Sequence, residues 1–194
     1  RELMLGPRRF SEIENNVFGI SEAALAQRLA SLEAAGVLTR QALPPPLSDE
    51  IYELTDWGRE SEILFQVLGR WAARSPTMEP GKPMSPVSVI LSLRTMIDRS
   101  AIGDLHATIG MRFGEEEFRG VLKDGALLID RGDAAGADAI FIGDPNALVA
   151  VIYGGARFED VADALTVEGD RDVADRFVRL FPVPPKAPVT FAGG

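Results

Sequence analysis

The stretch Gly19–Arg40 reads GISEAALAQRLASLEAAGVLTR. Gly19 relieves the backbone at a turn, Ser21 offers the hydroxyl of a helix N-cap, and Gly36 is a helix stop. The spacing therefore predicts a helix from Ser21 to Ala35, followed by a strand. At about 100° per residue, Leu25, Leu29 and Leu32 share one narrow stripe, the expected core face. Ala23, Gln27, Ala30, Ser31 and Ala34 lie on or near the opposite side. A solvated helix face normally carries Lys and Glu. This one is small and almost uncharged, so it can approach another surface closely. Ala is also the best helix former, so propensity explains the same composition.

The flanks add order. Pro7 leads into a short helix carrying Phe10 and Ile13. VLTRQAL and EIYELT alternate as strands, with PPPLSD between them. Thr55 can cap a helix from about Asp56 to Ala73 that places Trp57, Leu64, Leu68 and Trp71 near one face. RELMLG at the start reads as the last turns of a helix ending at Gly6, so an N-terminal helix is expected to be incomplete. Helix, tight turn, helix and β-hairpin form the winged helix-turn-helix arrangement. Within it, Gln27 suits a bidentate contact to adenine and an Ala methyl suits a thymine methyl. Arg28 lies on the flank of the helix, in reach of phosphate, and Arg8, Arg9 and Arg40 can complete a local positive cluster. Ser21, Ala23, Ala24, Gln27, Arg28 and Ser31, with those three arginines, are the candidate DNA contacts. Glu22, at the start of the helix, would repel phosphate; it either complements the helix dipole or accepts from a cytosine amino group.

Composition limits the alternatives. The chain has 194 residues, 46% of them apolar, enough for real cores. No apolar run approaches the ~20 residues of a membrane span. There is no Cys and a single His, His106. Disulfides, thiolate metal sites and multi-His sites are excluded, and the lack of Cys fits a reducing cytoplasm. No Ser-His-Asp set, Gly-rich phosphate loop or metal cluster appears, so no enzyme, cofactor or metal is expected. Asp130, Asp133 and Asp138 lack the spacing of a calcium loop. Net charge is −9. Residues 1–74 hold 8 Lys/Arg against 11 Asp/Glu, and the rest hold 12 against 18. Neither part is basic, which counts against nucleic-acid binding as a bulk property.

Residues 75–86, SPTMEPGKPMSP, carry four Pro and one Gly and read as a linker. It separates a winged helix domain over 1–74 from a second domain over 87–194. In the second part, Ser85-Pro86 opens a helix. LHATIGMRF alternates strictly, with Leu105, Ala107, Ile109, Met111 and Phe113 facing one way. Strands EFRGVLKDG and ALLIDRG turn at Asp124-Gly125. ADAIFIG, a short helix capped by Asp144-Pro145, a further short helix, LTVEG, and a helix capped by Asp170 follow. That last helix sets Val173, Phe177, Leu180 and Phe181 on one stripe. The expectation is an α+β fold, with an antiparallel sheet covered by helices on one face.

Two resemblances follow from these residues. RELMLGPRRFSEI, GISEAALAQRLASLEAAGVLTR, YELTDWGRE and LGRWAARS, over residues 1 to about 75, resemble the HxlR family of bacterial transcription regulators. That implies a homodimeric, DNA-binding winged helix with Ser21–Ala35 as recognition helix and 38–54 as wing. ADAIFIGDPNAL, IYGG and LTVEGDRDVADRFVRLF, within about 86–182, resemble the sterol-carrier-protein type of lipid-binding domain. That implies an apolar pocket for a hydrophobic small molecule. Ile109, Met111, Phe113, Phe141, Leu148, Ile152, Phe158, Phe177 and Phe181 are its candidate lining, although the same residue types fill an ordinary core. The combined expectation is a cytoplasmic regulator that binds double-stranded DNA and senses a hydrophobic effector. The alternative is a lipid-binding protein, with no membrane association, whose winged helix serves only dimerisation or protein interaction.

Overall fold

The computed structural model describes residues 1–43, 49–78 and 81–189. The chain divides into two compact units, Arg1–Phe65 and Gln66–Gly194.

In the first unit, β1 (Arg8–Arg9) leads into α1 (Phe10–Asn16) and α2 (Glu22–Ala34). Ser21 accepts the Ala24 N–H and caps α2, and Gly36 takes φ +74° just past its end. β2 (Leu38–Ala42) and β3 (Glu50–Leu54) follow, then α3 (Asp56–Glu60) and α4 (Glu62–Ala73). The sheet order is β1-β3-β2, all antiparallel. The wing hairpin therefore has a third strand, because Arg8 and Arg9 pair with Tyr52 and Ile51. Residues 44–48 of PPPLSD lie outside the described residues. Arg1–Gly6 forms turns rather than the end of a helix, with Leu3 and Leu5 buried. The single helix expected over Asp56–Ala73 is two, broken at Ser61, whose backbone N–H and hydroxyl both turn back to the Gly58 carbonyl. Leu3, Ile13, Leu25, Leu29, Leu38, Tyr52 and Leu54 form the core. Leu32 is not part of it: it is 41% exposed.

In the second unit, Ser85 caps α5 (Pro86–Met96) and Asp98 caps a short α6 (Arg99–Ile102). Next come β4 (Ala107–Phe113), β5 (Glu116–Lys123), β6 (Ala126–Arg131) and β7 (Ala139–Gly143). The β5–β6 hairpin turns at Asp124-Gly125, both with positive φ. α7 (Pro145–Gly154), a 3-10 turn (Phe158–Val161), β8 (Leu165–Gly169) and α8 (Arg171–Val178) complete the unit. The sheet order is β6-β5-β4-β7-β8.

The expected all-antiparallel sheet is corrected to a mixed one, because β4 and β7 run parallel. A parallel neighbour cannot be reached through a tight hairpin. Residues 132–138 carry the chain from β6 over β5 and β4 to β7. Arg119 holds this crossover by donating to the Asp133 and Ala135 carbonyls, and Glu117 holds it by accepting the Ala134 N–H. Gly110 lies directly beneath: a Cβ there would sit 2.8 Å from the Ala134 carbonyl oxygen. The other sheet face carries Ile109, Met111, Phe118, Leu122 and Phe141, all buried against the helices.

The boundary between the two compact units falls inside α4. The C-terminal half of α4 is tied into the second unit by backbone acceptors. Arg70 Nε donates to the Thr95 carbonyl at 2.7 Å, and the Ala187 N–H donates to the Arg74 carbonyl at 2.7 Å.

Gly110→Ala should lower the thermal unfolding midpoint, at a cost of about 1–3 kcal/mol, because the crossover must lift to admit a methyl. An unchanged midpoint would mean that the crossover does not lie against β4.

Candidate nucleic-acid interface

α2 is held by its two ends and its buried stripe. Leu25 and Leu29 anchor it in the core, and the Ser21 hydroxyl caps its first turn. At the other end Thr55 closes on the turn into β2. Its hydroxyl donates to the Gly36 carbonyl at 2.8 Å and accepts the Gly58 N–H at 3.0 Å, and its backbone N–H donates to the Val37 carbonyl at 3.0 Å. Gly58 packs so tightly on Val37 that a Cβ would collide with the Val37 carbonyl oxygen. Arg59 locks the same corner through the Leu54 carbonyl and Glu53. One threonine thus caps α3 and fixes the path from α2 to the wing. Sequence reading saw only the cap; the second task shows only when residues 36 and 55 are brought together.

This frame turns one face of α2 to solvent. Ala23, Gln27, Ala30, Ser31 and Ala34 are exposed, and Ala24 is half-buried. The Ser31 hydroxyl donates back to the Gln27 backbone carbonyl, and Gln27 itself is exposed on the same face. Arg28 is exposed, and among the described residues it pairs with no acid.

The other three expected phosphate contacts differ. Arg8 is 8% exposed and lies 3.5 Å from Glu12, so the structure does not bring it to the surface. β1 pairing with β3 turns its side chain inward, a long-range effect that no local pattern displays. Arg9 is exposed but faces Asp49 at 3.6 Å. Arg40 sits between Glu50 and Glu33, at 3.3 and 3.6 Å, and these acids raise its guanidinium above the ordinary value, Glu50 most. Burial, and then Glu50, push the Tyr52 hydroxyl up. The wing root is therefore a nearly neutral charge network, and Arg28 stands apart from it.

The residues expected to line an apolar pocket lie mostly in the second core. Ile109, Met111, Phe113, Phe141, Leu148 and Phe177 are buried. The Phe141 ring stacks on Phe158 at 6.0 Å and meets Phe177 at 5.7 Å, while Phe177 meets Phe181 edge-on at 5.0 Å. The hollow these residues reach is an open groove of about 500 Å³, bordered by Ile152, Phe158, Phe181, Val178 and Val183 and by the charged Arg157, Glu159, Arg171, Asp175 and Arg179. Among the described residues no group of His, Cys, Asp and Glu could hold a metal, and no helix is long and apolar enough to cross a membrane.

A family model described as HxlR-like helix-turn-helix matches residues 1–79. The HTH-type transcriptional regulator YodB of Bacillus subtilis (strain 168) is 40% identical over 79 residues, which cover 41% of this chain and 69% of YodB. Further HTH-type regulators from B. subtilis and Escherichia coli are 35–36% identical, and the chain spans between 52% and 66% of their length. Among solved structures, the reduced form of YodB is 40% identical, with 42% of this chain and 78% of that chain covered and a TM-score of 0.36. The sec-alkylsulfatase Pisa1 from Pseudomonas sp. is 16% identical, with 55% of this chain and 18% of that chain covered and a TM-score of 0.48.

Thr55→Ala should cost about 1–2 kcal/mol through the lost cap and loosen α2 at its C-terminal end. Amide exchange resolved by segment should rise at residues 34–38 as well as 55–58. A rise confined to 55–58 would show that Thr55 only caps α3.

Proposed function

The chain belongs to the HxlR family of helix-turn-helix transcription regulators, and on that premise we propose that it binds operator DNA as a homodimer through α2 and the wing and answers to a hydrophobic small molecule held by its C-terminal unit. The observation that carries the DNA reading is the exposed, small, uncharged face of α2, with Gln27 exposed on it and the uncompensated Arg28 beside it. A helix with such a face can enter the major groove closely, Gln27 can read a base edge, and Arg28 can hold a phosphate. Arg9 and Arg40 add phosphate contacts by exchanging their exposed carboxylate partners. Surface ion pairs contribute only about 0–1 kcal/mol, so the exchange costs little.

The dimer reading rests on α4. Ile63, Leu64, Val67, Leu68 and Trp71 are all exposed, the last at 72%. An apolar helix stripe of this length is the mark of an interface. A second copy of the chain, presenting the same stripe, is the proposed cover.

For the effector, the open groove offers Ile152, Phe158 and Phe181 to an apolar ligand entering from the surface past a charged rim of Arg157, Glu159, Arg171, Asp175 and Arg179. YodB is described in a reduced form. These 194 residues contain no Cys, so a thiol within them cannot sense a redox change. Non-covalent binding at the groove is the sensing chemistry proposed here. The ligand acts only by binding one conformational state better than the other.

Duplex affinity should fall with salt at a log–log slope of about −5, as six phosphate contacts in a dimer imply. Arg28→Ala should weaken specific and random duplex alike. Gln27→Ala should mainly reduce discrimination, by about 1–3 kcal/mol, against a site selected from a randomised pool. Absence of duplex binding at low salt would remove the reading. Leu64→Glu combined with Leu68→Glu should convert the dimer to a monomer in sedimentation, and a wild-type monomer would contradict the proposed interface.

A further inference from the structure

A second groove, of about 970 Å³, opens elsewhere in the C-terminal unit, lined by α4, the α5–α6 corner and the β5–β6 hairpin. Its wall holds five arginines, Arg70, Arg94, Arg99, Arg119 and Arg131, against two acids, Asp98 and Asp130. With Arg131 cancelled by Glu116, that leaves a surplus of two positive charges in a chain of net charge −9.

The arginines differ in how they are held. Arg94 pairs with Asp130 at 3.1 Å and Arg131 with Glu116 at 2.8 Å, so their charges are compensated. Arg70 and Arg119 donate instead to backbone carbonyls, Arg70 to Thr95 at 2.7 Å and Arg119 to Asp133 and Ala135 at 3.0 and 3.1 Å. A neutral carbonyl fixes a guanidinium in place and leaves its charge available. Arg99 is exposed, and among the described residues no acid pairs with it. Placement in advance lowers the ordering cost of binding an anion.

Beside these cations the wall is apolar. Val121 and Leu128 are exposed on the outer sheet face, Leu128 at 75%. Duplex DNA would meet the arginines and leave this surface uncovered. A simple apolar molecule would leave three cations unanswered. We propose that this groove binds a small amphipathic oxyanion, its phosphate, sulfate or carboxylate head on Arg70, Arg99 and Arg119 and its apolar body on Val121 and Leu128. Because Gln66 and Arg70 come from the helix that also presents the exposed apolar stripe, the bound molecule bears on that helix. Its role as an effector rests on the regulator reading; its binding does not.

Calorimetry of the full chain at low salt tests this with octyl phosphate, octyl sulfate, octanoate, octanol and inorganic phosphate. At least one octyl anion should bind about tenfold or more tighter than both octanol and inorganic phosphate, and their ranking identifies the head. Arg99→Ala should weaken that anion about tenfold, the loss of one charge-assisted contact, with no change in unfolding midpoint. Arg119→Gln should weaken it too. Lys123→Ala, an exposed cation outside the groove, should not. Equal affinity for octanol and the octyl anions, phosphate binding as tightly as octyl phosphate, or an indifferent Arg99→Ala would overturn the proposal. So would displacement of the octyl anion by random duplex, which would make the groove a nucleic-acid surface. If the octyl anion binds in an Arg99-dependent way while duplex is not bound at all, the regulator reading fails and this one stands.

Discussion

The turn between α2 and the wing keeps its shape because Thr55 and Gly58 close on it. Three hydrogen bonds from one residue tie Gly36 and Val37 to the start of α3, and Gly58 leaves room for the Val37 carbonyl to sit against the helix. Recognition of DNA tolerates little error in helix position, since bidentate base contacts and phosphate contacts must form together. A helix of 13 residues, anchored mainly by Leu25 and Leu29, has one secured end at Ser21. Thr55 secures the other, and so sets how the exposed face of α2 stands relative to the wing.

Charge bears on the DNA contact proposed for this acidic chain. The wing root neutralises itself through Arg9–Asp49, Arg40–Glu33 and Arg40–Glu50. These are exposed pairs, and such pairs contribute only about 0–1 kcal/mol. On the proposed reading, a net charge of −9 disfavours non-specific attraction to the duplex and leaves affinity to shape and base contact. In the second unit five arginines line one groove, and backbone carbonyls hold two of them, Arg70 and Arg119, without an acid partner among the described residues.

The local features were legible in the sequence. Ser21, Thr55, Ser85, Asp144 and Asp170 each cap the helix that follows them, because capping involves residues two or three apart. Strict alternation marked the buried face of β4. What stayed hidden depends on distant partners. The inward turn of Arg8 comes from pairing with Tyr52, and the compensation of Arg40 comes from acids on α2 and β3. The parallel β4–β7 pair leaves its trace at Gly110, whose missing side chain has meaning only once Ala134 is known to lie above it. Aromatic residues that suit a pocket suit a core equally, and Phe141, Phe158, Phe177 and Phe181 pack on one another.

Hydrogen–deuterium exchange of the full chain, with and without a duplex selected from a randomised pool, tests the central claim most directly. Two regions should gain protection together: residues 21–34, and the wing strands 38–42 and 50–54. Residues 107–131 of the second sheet should not change. Protection absent from 21–34, or found only in the second unit, would contradict a reading in which α2 meets the DNA.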